Sequence, residues 1–173
     1  MIPVKICGIT LLEDAMRIAE LGSSAIGFIF YDQSPRCVSP DRARKISKEL
    51  PVGISTVGVF VNPELKTVRH ISDFVDLDFI QLHGDESPDF CKLISHPVIK
   101  TFRIDNTISY KHLESYPVHS LLFDTYKPSV FGGTGDTFDW SIVNQFKTKI
   151  VIIKNTLRLG SKAAGIPGSH GHP

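Results

Sequence analysis

This sequence has few cysteines, almost no net charge and no long apolar run, and each shortage argues against a class of protein. Its 173 residues include three cysteines, an odd number without metal-like spacing, which indicates free thiols in a reducing compartment. The formal net charge of +1 supplies no basic field for nucleic acid or an anionic membrane surface. No run of about 18 apolar residues is present, and no secretory signal opens the chain. We therefore expect a cytoplasmic protein that binds neither nucleic acid nor membrane.

What the sequence does contain is a regular alternation of apolar and amphipathic runs. The apolar runs lack polar alternation, which is typical of strands buried on both faces. Predicted strands cover Val4–Ile6, Ala25–Phe30, Thr56–Val61, Phe79–Leu82, Val98–Phe102, Ser120–Phe123 and Ile150–Ile153. Predicted helices cover Leu11–Leu21 (capped by Thr10), Pro40–Leu50 (capped by Ser39), Pro63–Phe74 (capped by Asn62), Glu86–Ser95, Ile108–Ser115 and Phe138–Phe146. This order indicates an α/β fold with a parallel sheet and helical crossovers.

Two α/β architectures fit this alternation, an open doubly wound sheet and a (β/α)8 barrel. A dinucleotide-binding sheet is disfavoured because no Gly-x-Gly-x-x-Gly follows the first strand. We therefore favour the (β/α)8 TIM barrel family, here incomplete with about seven strands. The barrel domain is expected over residues 1–153, and residues 154–173, whose end is rich in Pro and Gly, are expected to form an irregular tail.

Titratable residues gather where the predicted strands end, which is the end of a barrel that holds the active site. Cys7 lies at the tip of the first strand, and Arg36, His83 and Asp124 follow the second, fourth and sixth. An isolated cysteine more often packs as a small apolar residue. Arg36 could likewise be a solvated loop cation, although its planar fork suits a substrate carboxylate. His83 could simply bond loop backbone.

Asp124 comes directly after the apolar run 121–123, so partial burial is expected. Burial disfavours the charged form of a carboxyl group, so Asp124 could be a neutral acid that donates a proton. The glycine-rich run 132–135 could provide a tight or mobile loop. Because no Gly-Lys-Ser/Thr follows it, this run is not a nucleotide P-loop.

Taken together, these segments resemble the phosphoribosylanthranilate isomerase family of tryptophan biosynthesis. The matching blocks are Lys5–Thr10, Gly27–Phe30, Ser34–Arg36, Val57–Asn62, Gln81–Glu86, Phe123–Thr125, Gly132–Gly135 and Thr137–Trp140. They occur in the order and at the spacing of the family, from about Val4 to Ile153. The resemblance also favours the barrel over the open sheet.

The resemblance implies an Amadori rearrangement of N-(5-phosphoribosyl)anthranilate to 1-(o-carboxyphenylamino)-1-deoxyribulose 5-phosphate, without cofactor or metal. It makes Cys7 the general base and Asp124 the general acid. It places Arg36 on the anthranilate carboxylate, and it places Gln81 and His83 in the lining of the pocket. The partner that it implies is this small phosphosugar substrate.

The chain departs from the family pattern after Ile153. The family continues with a Gly-Gly turn, an eighth strand and a final helix, whereas His170 and His172 lie here in a tail where solvation is more plausible than metal binding. In phosphate-binding barrels the loops after strands 7 and 8 hold the phosphate, so we expect a weakened anchor for the substrate. Seven strands would also leave open sheet edges, through which the chain could self-associate.

The sequence leaves three functional interpretations open. The first is the isomerase itself. The second is a truncated, non-catalytic remnant or interaction module of the same family. The third is another phosphosugar barrel enzyme with altered specificity, and the joint presence of Cys7, Arg36 and Asp124 argues against it.

Overall fold

Parallel strands and helices alternate along the chain in the computed structural model, which describes residues 3–104, 110–125 and 150–153. The strands are β1 (Lys5–Cys7), β2 (Ala25–Ile29), β3 (Ser55–Phe60), β4 (Phe79–Leu82), β5 (Val98–Ile104), β6 (Ser120–Thr125) and β7 (Ile150–Ile153). The helices are α1 (Leu12–Glu20), α2 (Pro40–Glu49), α3 (Leu65–Val75), α4 (Pro88–Lys92) and α5 (Tyr110–Glu114). The predicted helix Phe138–Phe146, the glycine-rich run 132–135 and the tail 154–173 lie outside the described residues.

The seven strands form one parallel sheet in the order β1-β2-β3-β4-β5-β6-β7. Each strand therefore pairs with its neighbour in sequence, whereas a doubly wound sheet reverses its strand order at a switch point. Right-handed crossovers between strands in this order place the helices on a single face of the sheet, which is the winding of a barrel. The predicted fold, an α/β barrel of about seven strands, is confirmed.

Apolar side chains pack on both faces of this sheet. On the face that meets the helices, Phe28 and Ile80 belong to the same buried cluster as Val68 of α3. On the other face, Val57, Ile99 and Leu122 form a separate cluster inside the curved sheet. Since successive residues of a strand point to opposite faces, strand register identifies the side chains that line this interior.

Two of the first three predicted helix caps are wrong. Ser39 does cap α2, because its Oγ accepts a hydrogen bond from the amide of Arg42 at 3.3 Å. Thr10 does not cap α1, because the chain stays extended through Leu11, which is the N-cap and makes no side-chain cap bond. Asn62 does not cap α3, because its side-chain oxygen accepts instead from the amide of Asp85 in the next loop, at 2.7 Å. That helix begins two residues later than predicted, at Leu65.

Helix α4 is shorter than the predicted Glu86–Ser95. Ser87 caps it, with its Oγ accepting from the amide of Phe90 at 3.2 Å. Pro88 disfavours helical geometry at the residue before it, so the helix cannot begin at Glu86. Glu86 is thereby left in the loop, where it has structural partners described below. Among the described residues, no helix combines the length and the apolar character that crossing a membrane requires.

Candidate active site

Strand β1 ends at a corner where the backbone of Cys7 meets the guanidinium of Arg36. Gly8 turns the chain with a φ of +87°, and its amide donates to the carbonyl of Gly27 at 2.9 Å. Nη1 of Arg36 donates to the carbonyl oxygen of Cys7 at 2.9 Å. A Cβ at Gly8 would lie 2.7 Å from the same Nη1. Glycine is therefore required here both for its backbone conformation and for the close approach of Arg36.

The thiol of Cys7 lies on the interior face of the sheet, where Gly27 leaves space for it. Cys7 pairs with Gly27, and Gly27 pairs with Val57 of the interior cluster. A Cβ at Gly27 would lie 2.8 Å from Sγ of Cys7. Sequence reasoning included Gly27 only as part of a family block, and the register of β1 against β2 reveals its role in making room for the thiol.

A chain of polar side chains crosses the barrel interior from β1 to β6. Nζ of Lys5 donates to Oε1 of Gln81, which lies on β4. Nε2 of Gln81 lies 3.1 Å from Nδ1 of His83 and 3.3 Å from Oγ1 of Thr101. Nε2 of His83 lies 3.3 Å from Oδ2 of Asp124. Three of the predicted site residues therefore contact one another in a row: Gln81 contacts His83, and His83 contacts Asp124.

The structure corrects the predicted position of Asp124. Strand β6 runs to Thr125, so Asp124 lies within the strand and not after it. Strand β5 likewise extends to Ile104, which places Arg103 within that strand and opposite Asp124. The side chains of His83 and Asp124 are 19% and 17% exposed, so the pair is partly buried and still open to a ligand. The expected partial burial of Asp124 is therefore correct.

A buried ion pair fixes the loops after β3 and β4. The side chains of Lys100 and Glu86 are each 2% exposed, with Nζ and Oε2 at 2.9 Å. Lys100 also donates to the carbonyl of Gly84 at 2.7 Å and to that of Thr101 at 3.2 Å. The carboxylate of Glu86 accepts from the amides of Asn62 (2.8 Å) and Gly84 (3.0 Å). These bonds hold the backbone next to His83 from both sides.

Three charged residues of this site were missed as site residues by sequence reasoning, namely Lys5, Glu86 and Lys100. Lys100 had a detectable signal, because it stands in the apolar strand run 98–102, and a buried charge requires a partner. Lys5 carried a weaker signal, because β1 is short and half-buried. In the described ranges, no group of three or more His, Cys, Asp or Glu side chains could hold a metal ion.

Comparison with known proteins identifies the family. Residues 4–157 match the family model described as N-(5'-phosphoribosyl)anthranilate (PRA) isomerase. The chain belongs to this family. The PRA isomerase of Citrifermentans bemidjiense is 47% identical over 140 residues, which cover 81% of this chain and 68% of that protein. The PRA isomerase of Pelobacter propionicus is 42% identical over 171 residues, which cover 98% of this chain and 82% of that protein.

Solved PRA isomerase structures share the fold. The enzyme of Thermotoga maritima superposes with a TM-score of 0.80 at 40% identity, covering 91% of this chain and 78% of that one. A PRA isomerase in complex with reduced 1-(o-carboxyphenylamino)-1-deoxyribulose 5-phosphate superposes with a TM-score of 0.74 at 37% identity, covering 88% of this chain and 76% of that one. The predicted family resemblance is therefore confirmed, as is its implication that the relatives are isomerases of tryptophan biosynthesis.

Proposed function

We propose that this chain converts N-(5-phosphoribosyl)anthranilate to 1-(o-carboxyphenylamino)-1-deoxyribulose 5-phosphate by general acid–base catalysis. The observation that carries the proposal is the position of Cys7 and Asp124, which both lie on the interior face near the carboxyl ends of their strands. That end of a barrel is where catalytic residues lie. The complex of a related isomerase with a reduced form of the product supports the choice of substrate.

The proposed reaction begins with proton donation. Asp124, in its protonated form, donates a proton to the ring oxygen of the furanose, and the bond from this oxygen to C1 breaks as the iminium forms. The iminium acidifies the hydrogen on C2, and the thiolate of Cys7 removes it. The resulting enolamine gains a proton at C1 and loses the hydroxyl proton at C2, which gives the ketone. The reaction is an isomerisation, so no oxidant, reductant or cofactor is needed.

Three further side chains are proposed to bind the substrate. Arg36 has an exposed guanidinium beside the end of β1, and its planar fork matches a carboxylate such as that of the anthranilate. Gln81 and His83 line the interior between Cys7 and Asp124. Holding the reacting carbon between acid and base supplies the orientation that such a reaction requires.

Turnover by the purified full chain tests this function. We expect conversion of N-(5-phosphoribosyl)anthranilate, with kcat lowered by roughly 10²-fold or more in Cys7→Ser and in Asp124→Asn, because positioned acids and bases commonly contribute that factor. Cys37→Ser is the matched control, since Cys37 is also a free cysteine but is part of a loop after β2. A Cys7→Ser variant with unchanged kcat would show that the base is another group.

A non-catalytic interaction module of the same family is the alternative, and it predicts self-association. In the described part of the chain, β1 pairs with β2 and β7 pairs with β6. Unpaired outer edges of these strands would favour association of two copies. Sedimentation velocity over a range of concentrations checks this expectation, and a folded monomer at every concentration would contradict it. The cytoplasmic location expected from the sequence stays a prediction.

A further inference from the structure

We propose that Lys5 is a positioning residue that fixes the amide orientation of Gln81 and, through it, the tautomer of His83. The imidazole of His83 then carries its proton on Nε2 and donates it to Asp124. The tautomer follows from the contacts alone, whereas its catalytic purpose rests on the function proposed above for Asp124. Three successive contacts connect Lys5 to Asp124 through Gln81 and His83.

The first contact determines which atom of the Gln81 amide faces β1. Lys5 lies on the interior face of β1, two residues before Cys7, and its ammonium reaches Gln81 across the sheet interior. An ammonium group has three donors and no acceptor, so the Gln81 atom that faces it must be the carbonyl oxygen. The side chain of Gln81 is therefore oriented by charge, with Nε2 directed away from Lys5.

The second contact determines the proton position on the His83 ring. Gln81 is only 2% exposed, so its amide group must find its partners inside the protein. Its Nε2 lies 3.1 Å from Nδ1 of His83 and 3.3 Å from Oγ1 of Thr101. An amide NH2 group only donates, so Nδ1 must present its lone pair. A proton on Nδ1 would place two donors face to face.

The third contact gives the consequence for the acid. With a lone pair on Nδ1, the imidazole is neutral and its proton is on Nε2, which lies 3.3 Å from Oδ2 of Asp124. Oδ2 therefore accepts from His83, which favours Oδ1 as the oxygen that carries the proton given to a substrate. The series from Lys5 to His83 thus selects the oxygen of Asp124 that delivers the proton. It also keeps His83 from competing as a second acid.

The substitution Gln81→Glu is the sharpest variant for this inference. A glutamate at position 81 would still accept from Lys5, and it would present an acceptor oxygen to Nδ1 of His83. We expect the ring proton to move to Nδ1, or the ring to become doubly protonated. Lys5→Met removes the charge that orients the amide, so both tautomers should be populated. Lys5→Arg keeps a donor and should restore the Nε2–H tautomer.

Nitrogen NMR of the histidine-labelled full chain measures the tautomer directly. The signals of His83 are identified by their loss in His83→Gln, and spectra are recorded at alkaline pH, where histidine rings are neutral. We expect a protonated Nε2 in the wild type and in the control Lys45→Met, whose lysine is exposed on α2. A protonated Nδ1 in the wild type, or an unchanged spectrum in Gln81→Glu, would overturn the inference.

Kinetics then separate the inference from the proposed function. Lys5→Met should lower kcat with little change in KM, by less than the roughly 10²-fold expected for Asp124→Asn, and Lys5→Arg should recover part of the loss. A wild type with the expected tautomer but without turnover would contradict the proposed function and leave the inferred role of Lys5 intact. Normal turnover with the opposite tautomer would overturn the inferred role of Lys5 alone.

Discussion

At the scale of single residues, Arg36 is the clearest candidate for a residue that binds the substrate but takes no part in the proton transfers. Its guanidinium bonds to the backbone carbonyl of Cys7 at the end of β1, while His83 and Asp124 pair with each other. We expect Arg36→Ala to raise KM with a small effect on kcat, because a contact to the carboxylate is the same in the ground state and the transition state. Steady-state kinetics check this expectation for KM and kcat. The control is Arg42→Ala, which lies on the exposed side of α2.

Arg36→Lys adds a second test of the same contact. Lysine keeps the charge but loses the planar fork, so KM should stay well above the wild-type value. If Arg36→Ala lowers kcat and leaves KM unchanged, Arg36 acts on the reaction and not on binding.

Three of the five predicted site residues could be selected from the sequence because they lie at or next to a strand end, whereas Arg36 lies in the loop after β2 and Gln81 came from the family resemblance. Cys7, His83 and Asp124 all occupy such positions, and parallel strands bring their carboxyl ends together. Lys5 could not be assigned a role in this way, because its importance depends on which face of a three-residue strand points inward. That orientation is determined by pairing with β2, a long-range contact that the local sequence does not show.

At the scale of elements, the ion pair of Glu86 and Lys100 joins the loop after β4 to β5. Lys100→Met would leave the carboxylate of Glu86 buried without its counter-charge, and breaking such a pair costs about 3–5 kcal/mol. We expect this loss in the free energy of unfolding measured with urea. Lys92→Met, which removes an exposed pair with Asp89, is the matched control and should have a much smaller effect.

The double variant Glu86→Gln with Lys100→Met distinguishes a structural charge from simple packing. Removing both charges should recover part of the stability lost in Lys100→Met, since no buried charge is then unpaired. Equal losses in the single and double variants would show that the aliphatic part of Lys100, and not its charge, supports the loop.

Elements were predicted well where a local signal decides them and poorly where a distant partner does. Ser39 and Pro40 together start α2, and both act within one turn. Asn62 has the residue type of a cap, yet its side chain bonds to the amide of Asp85, which is 23 residues away. A Cβ at Gly84 would lie 2.3 Å from that same side chain, so the two loops are built together. Such a contact is invisible to a local reading of either loop.

At the scale of the whole molecule, the order of the strands determines the geometry of the site. Seven parallel strands in chain order bring side chains from β1, β4 and β6 to one interior. This arrangement allows Lys5 and Gln81 to meet although β1 and β4 are not adjacent in the sheet. The outer face carries the larger apolar cluster, so the stability of the fold depends mainly on packing between sheet and helices.

Cys91 lies in that outer cluster and gives the whole molecule a pH dependence. Burial raises the pKa of its thiol from 9.0 to about 11, an effect that nearby Lys100 partly offsets. The folded state therefore keeps this proton longer than the unfolded chain does. The contribution of the neutral thiol to the free energy of unfolding is fully present below pH 9. It is lost as the pH rises toward 11, at a cost of up to about 2–3 kcal/mol.

Urea unfolding of the wild type and of Cys91→Ala between pH 8 and pH 11 measures this contribution. It is the difference between the two proteins in the slope of the unfolding free energy against pH. We expect Cys91→Ala to be less stable at neutral pH, because its smaller side chain leaves a cavity, but to lose less stability as the pH rises. Tyr116 is present in both proteins, and burial raises its pKa in both, whereas the further rise that the ionised Cys91 thiol causes is lost in Cys91→Ala and belongs to the measured difference. Parallel pH profiles for the two proteins would contradict the role of the thiol, because a buried neutral group that resists ionisation must steepen the alkaline decline.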